Sequence, residues 1–197
     1  MERSKAFTLL GLDESASLDD VTDALDQAVF KVRDYFLRAA IVPRLAESRV
    51  DKCVQLSDVA QSLGVPALGS PIGIPDLVSP ESELESVIVG HVENLRRCRN
   101  AMASTLDPDS VAQLGHLMAN IQLDYMRSFM TLTEEEFSGN DKHAPVAARD
   151  EADWMALLAA VRAWKGSPGQ GTLLRDFVAK ERARMGAMLS TNQPEPR

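Results

Sequence analysis

The chain has 197 residues, 45% of them hydrophobic and 25% charged, with 29 acidic side chains against 21 basic ones and a formal net charge of −8. That length and apolar content suffice for a buried core without disulfides, and the absence of any run of about 18 apolar residues excludes a membrane-spanning helix. A negative chain with no basic stripe repels phosphate backbones, which argues against nucleic acid as a partner. The opening MERSKAFTLLGLDES carries Arg3 and Lys5, but its apolar run soon stops and no small-residue cleavage site follows, so a cytoplasmic protein is expected.

A short first helix is expected over residues 5–10, capped by Ser4 and ended by Gly11. Ser17 stands three residues before Asp20, a near capping box, ahead of a helical pattern of Val21, Ala24, Leu25, Ala28, Val32, Tyr35 or Phe36, and Ala39. Pro43 lacks the N–H that bonds back to residue 39, so it kinks this helix or starts another. The apolar face runs on through Ala46, Val50, Cys53, Val54, Leu56, Ala60 and Leu63 to Gly64, which makes residues 18–63 almost wholly helical.

Residues 64–80, GVPALGSPIGIPDLVSP, carry four prolines and admit no regular element. Their apolar side chains, Val65, Leu68, Ile72, Ile74, Leu77 and Val78, distinguish them from a polar tether, and the stretch is expected to lie against the protein or a partner. Ser79 is expected to cap the next helix, with Pro80 at its first position and Glu81 and Glu83 in its first turn.

From Leu84 the apolar or near-apolar positions alternate by four and three: Leu84, Ile88, His91, Leu95, Cys98 and Met102. Asp107-Pro108 repeats the start signal, and the beat resumes at Val111, Leu114, Met118, Ile121 and Tyr125, completed by Ser128 and Leu132. Such a seam is what two helices need to interlock, and a short break between them favours antiparallel neighbours. A long antiparallel helical hairpin over residues 79–132 is therefore expected.

Thr133 with Glu136 forms another capping box, cut short by Ser138-Gly139-Asn140-Asp141, so residues 138–146 are expected to be loop. Trp154, Leu157, Leu158, Val161 and Trp164 share one face of a helix closed at Gly166, and SPGQG makes the next turn. Thr172 is expected to cap a last helix with apolar positions Leu173, Leu174, Phe177, Val178, Met185, Met188 and Leu189. Residues 190–197 are expected to be a disordered tail. The fold class is thus all-α: a helical bundle built on the hairpin. Its parts are an N-terminal helical unit (1–63), a Pro/Gly-rich apolar linker or ordered loop (64–79), and the hairpin with two C-terminal helices (80–189).

The string LLGLDESASLDDVTDALDQA resembles the opening of a J-domain, a co-chaperone module. Phe7 supplies the family's aromatic residue, Leu10-Gly11-Leu12 its turn, Ala16-Ser17 its cap, and Asp20-Val21 and Ala24 its helix start; the likeness covers about residues 5–36. The family's His-Pro-Asp tripeptide, which engages the chaperone ATPase, would fall at Arg33-Asp34-Tyr35 and is not retained. The basic face of the family's second helix is reversed by Asp19, Asp23 and Asp26. The resemblance therefore implies no chaperone stimulation; degenerate J-like modules serve in assembly or tethering, which favours an interaction role.

The side chains that carry chemistry form no catalytic set. The two cysteines, Cys53 and Cys98, are not spaced as a metal pair and read as small buried hydrophobes. The histidines, His91, His116 and His143, lack the three- or four-residue separation of helical metal ligands. His91 sits on the seam and is expected to face residues around Leu123 to Tyr125 as a buried imidazole bonded to Tyr125 or a carbonyl. Glu134, Glu135 and Glu136 read as a solvated cap, and the acidic row Asp19, Asp20, Asp23 and Asp26 as a wet face. Neither a nucleotide-binding glycine motif nor a nucleophile elbow is present.

No cofactor and no metal site are assigned. The sequence reads as a non-enzymatic interaction protein, an adaptor or assembly factor, with a protein partner and self-association. Its expected contact residues are Ile72, Ile74 and Leu77 in the apolar loop and Met126, Phe129 and Met130 on the exposed side of the hairpin. The alternatives are a helical-bundle metalloprotein using His91 or His116 with Glu93, and a small-molecule sensor.

Overall fold

The computed structural model describes residues 1–38, 41–66, 68–134, 154–156, 158–159, 161–162 and 171–190, by backbone alone at 134, 171–177 and 190. The chain is all-α: every regular element among the described residues is a helix. These are α1 (Arg3–Leu10), α2 (Leu18–Arg38), α3 (Pro43–Leu63), α4 (Leu84–Ala103), α5 (Pro108–Glu134) and α6 (Gly171–Ser190), with further helical residues within 154–162. The expected loop at 138–146, His143, Glu135, Glu136, Leu157, Trp164, Gly166, the SPGQG turn and the tail after residue 190 lie outside the described residues, as do the side chains of Thr172, Leu173, Leu174 and Phe177.

The chain forms two compact units. The first comprises Met1–Ala39, Leu45–Asp76 and Arg97–Met118, and the second Ala40–Arg44, Leu77–Arg96 and Ala119–Arg197. Residues 64–76 belong with the first unit, residue 77 onward begins the second, and α4 and α5 contribute residues to both.

Local chemistry sets the helix ends. α1 closes on Gly11 (φ 70°), with the Gly11 N–H donating to Thr8 O at 3.1 Å and the Leu12 N–H to Phe7 O at 3.0 Å. α3 closes in the same way on Gly64 (φ 69°), through Gly64 N–H to Gln61 O and Val65 N–H to Ala60 O. Both are Schellman ends that require a left-handed residue, which glycine adopts without a Cβ penalty. α1 begins at Arg3, earlier than a Ser4 cap allows, and Glu2 at its N-cap position makes no side-chain cap bond.

The α2 cap is as the sequence indicates. The Asp20 N–H donates to Ser17 Oγ at 3.2 Å, while the Asp20 carboxylate accepts from the Ser17 N–H at 3.0 Å and its hydroxyl at 2.6 Å. These bonds hold the Asp20 carboxyl below its ordinary value. Pro43 starts a helix: it occupies the first position of α3, where its missing N–H has no intrahelical partner to lose.

In the first unit, α2 buries Val21, Leu25, Val29, Val32 and Phe36, so Phe36 and not Tyr35 completes the stripe. α3 buries Ala46, Cys53, Leu56, Val59 and Leu63, while Val54, on the apolar face in the sequence reading, is exposed. Phe36 packs over Gly115 so closely that a Cβ there would lie 2.6 Å from its Cζ. The far end of α2 is tied down from α4 and the turn beyond it. Arg99 Nε donates to Phe36 O at 3.1 Å, and Arg33 Nη1 to Thr105 O at 3.0 Å.

The four–three seam is buried throughout its middle. Ile88, His91, Leu95, Cys98 and Met102 of α4 are buried, as are Val111, Leu114, Met118, Ile121 and Tyr125 of α5, whereas Leu84, Ser128 and Leu132 at the ends are half-buried. In the second unit α4 and α5 meet through His91, stacked on Tyr125 with ring centroids 4.0 Å apart. α6 is fastened to the end of α5 by Arg182, whose Nη1 donates to Met130 O at 2.9 Å and Thr133 Oγ1 at 2.8 Å. α6 buries Val178 and Met185, and beside them a charged pair, Glu181 and Arg184, joined by two bonds of 2.6 and 3.0 Å. That fork satisfies both groups, which is the condition for burying them at all.

Gly115→Ala tests the α2 packing. The substitution gains about 1 kcal/mol of helix propensity but forces overpacking against a buried ring, which costs about 1–3 kcal/mol, so net destabilisation is expected in urea unfolding. Combined with Phe36→Leu it should cost less than the two single losses added; simple additivity would contradict the contact.

Candidate functional site

Proline removes donors from the segment between α3 and α4, and several of its remaining backbone groups are bonded by side chains of α4, α5 and the turn between them. Within the first unit, Thr105 Oγ1 donates to Ser70 O at 3.0 Å, the Ile72 N–H donates to Ser110 Oγ at 3.1 Å, and Arg97 Nη1 donates to Asp76 O at 2.9 Å. Thr105 and Ser110 also start α5. Thr105 Oγ1 accepts from the Asp107 N–H, and the Asp107 carboxylate, as N-cap, accepts from the Ser110 N–H at 2.9 Å and its hydroxyl at 2.5 Å. Gly69 permits the approach, since a Cβ there would sit 3.1 Å from the Leu106 and Asp107 nitrogens.

Within the second unit, Asn94 grips Val78 on both sides. The Val78 N–H donates to Asn94 Oδ1 at 2.7 Å, and Asn94 Nδ2 donates to Val78 O at 2.9 Å. A Cβ on Gly90 would lie 3.0 Å from Pro80 Cβ, so Pro80 rests directly on α4. This overturns the expected Ser79-Pro80 helix start. Residues 78–80 lie along α4 itself, the Glu81 N–H donates to Ser86 Oγ at 2.8 Å, and the helix begins only at Leu84, with Glu83 O accepting from the Val87 N–H.

Residues 77–80 thus form a strap over one side of the second unit, above a cavity of about 270 Å3. Its floor is aromatic. The His91 imidazole lies flat on Tyr125 and meets Trp154 edge to face at 4.6 Å, and Tyr125 contacts Phe129 at 5.8 Å. Asp124 stands at the cavity wall, paired with Arg127 at 3.7 Å where both are well exposed.

The expected contact residues separate into two sets. Ile74 is 61% exposed and Leu77 38%, joined by Val78 at 36%, while Ile72 is half-buried. Met126 and Phe129, by contrast, are fully buried and Met130 is half-buried. The expectation that Met126, Phe129 and Met130 form an exposed contact surface is therefore corrected: Phe129 belongs to the aromatic group around Tyr125, and α6 is fastened at Met130 and Thr133.

His91 is buried as expected and has Tyr125 as its neighbour, whereas His116 is exposed. Among the described residues no group of three or more His, Cys, Asp or Glu side chains is gathered as a metal site, and Glu93 pairs with Arg96 at 3.2 Å. In the acidic row of α2, Asp20 belongs to the cap; Asp19 and Asp23 face solvent. The residue the sequence reading missed is Asn94. Its signal was a polar side chain at the four–three spacing of the buried face (Val87, His91, Asn94, Cys98), where an amide needs a partner. No family model, no curated protein and no solved structure matches the chain.

Both cysteines are buried thiols. Burial pushes Cys53 up to about 12, with the Asp109 carboxylate adding to it, and burial alone pushes Cys98 up to about 11. A raised folded value favours the protonated fold, so this stabilisation is complete below the unfolded thiol value of 9.0 and is lost as pH rises toward 11 and 12. Between pH 8 and pH 10, urea unfolding of wild type should lose about 1.4 kcal/mol more than Cys53→Ala does. Parallel pH dependences for the two proteins would contradict a buried neutral thiol.

Proposed function

We propose that this is a non-enzymatic interaction protein, an adaptor or assembly factor of the cytoplasm, that takes a protein partner on the stretch around Ile74, Leu77 and Val78. The observation that carries the reading is an apolar stretch presented to solvent on a backbone already bonded at Ile72, Asp76 and Val78. Exposed Ile, Leu and Val side chains gain free energy only when covered. A stretch whose backbone is already ordered loses less conformational entropy on binding than a free peptide does. The J-like opening, in which Arg33-Asp34-Tyr35 are helical residues of α2, supports an assembly or tethering role over chaperone stimulation.

Purified wild-type chain and the double variant Ile74→Asp, Leu77→Asp, used as baits in extracts of the native host, test this. Both side chains are exposed, so circular dichroism and the unfolding midpoint should match between the two proteins. Proteins retained by wild type should fall by more than about tenfold on the variant, the scale of losing an apolar hot spot. Retention of the same proteins in the same amounts would overturn the assignment.

A further inference from the structure

The cavity beneath the strap has a chemistry of its own, and the part-exposed Leu77 and Val78 also border it. Its upper wall is Leu77, Val78 and Pro80, and Val87 and Ile121 continue the apolar lining. Tyr125 and His91, stacked on each other, both line it, and Trp154 abuts His91 in turn. Asn94 lines the cavity too, but both ends of its amide are committed to Val78, which leaves it as the clasp of the strap.

The titratable side chains described at this cavity besides Tyr125 are Asp124 and the buried imidazole of His91. Among its described lining residues Asp124 is the one acidic side chain, and none is a lysine or arginine. Arg127 reaches Asp124 at 3.7 Å, but that pair is 70% and 77% exposed and is screened by water, so the carboxylate remains open to a second cation. The hydroxyls of Ser79 and Ser128 add neutral polar contacts.

We infer that the second unit binds a small organic cation here: a single-ring or similarly flat apolar body carrying one amine, the body against Tyr125, Val87 and Ile121 and the ammonium toward Asp124. Volume sets the size, since about 270 Å3 accepts one ring with a short arm and little more. The lining sets the sign. Among the described lining residues an anion finds no lysine or arginine, whereas an ammonium meets the Asp124 carboxylate beside aromatic rings. The strap, held at Val78 and resting on Gly90 through Pro80, keeps the site formed without a ligand.

Isothermal titration calorimetry of the full chain with phenethylamine, and with phenylacetate as the anion of matched shape, tests the inference. Saturable one-site binding of phenethylamine is expected, with phenylacetate bound more weakly. Asp124→Asn should weaken phenethylamine about fivefold, the scale of one exposed charge pair, and remove the preference over phenylacetate. Ser128→Phe, which fills the mouth from a half-buried position, should abolish binding, with circular dichroism checking that both variants remain folded. No saturable heat with phenethylamine, equal affinity for phenylacetate, or binding unchanged by both substitutions would each overturn it. Because the titration needs no protein partner, its failure leaves the partner-capture experiment unaffected, and the reverse holds.

Discussion

Backbone groups that cannot bond to one another have to be satisfied from elsewhere, and the proline-rich segment concentrates that constraint. Pro66, Pro71, Pro75 and Pro80 rule out a helix or a ladder there, yet each buried amide or carbonyl left unmet costs about 1–3 kcal/mol. Thr105, Ser110, Arg97 and Asn94 supply the missing partners. Two of them are already occupied with starting α5, so the beginning of that helix and the path of the segment are one arrangement. Loosening Thr105 or Ser110 therefore disturbs both.

This coupling explains why a stretch rich in proline and glycine carries exposed isoleucine and leucine without behaving as a tether. With the backbone held at Ser70, Ile72, Asp76 and Val78, Ile74 is left in water. It also explains the cavity. A chain held at Val78 and seated by Pro80 on Gly90 spans the side of α4 without filling the space beneath. The aromatic group around His91 stays rigid because each ring is backed by another, which favours a preformed site.

Hydropathy spacing carried much of the fold. The alternation of fours and threes from Leu84 to Leu132 marked the residues that are buried, and the ends where burial fades are its last positions, Ser128 and Leu132. The Ser17–Asp20 box and the two glycine ends were equally legible, because local bonds decide them. Non-local bonds defeated the reading elsewhere. Ser79-Pro80 has the chemistry of a helix start, but the amide of Asn94, sixteen residues on, holds Val78 extended. Met126 and Phe129 lie off the seam and looked free; periodicity identifies a face and is silent on what covers it. Glu181 and Arg184 show the converse, a charged pair buried because each satisfies the other, which no hydropathy pattern reveals. For the candidate site, the outward apolar residues Ile74 and Leu77 were legible in the sequence, whereas the strap and its cavity depended on Asn94 and Gly90 and were not.

The central claim is that side chains of α4, α5 and the turn between them order the proline-rich segment in the free protein. Amide hydrogen exchange measured residue by residue on the isolated chain addresses it directly. The Ile72 and Val78 amides, bonded to Ser110 Oγ and Asn94 Oδ1, should exchange far more slowly than an unstructured peptide of the same sequence, and Asn94→Ala should release Val78 while leaving Ile72 protected. Exchange at unstructured-peptide rates at both positions in the wild-type chain would contradict the account.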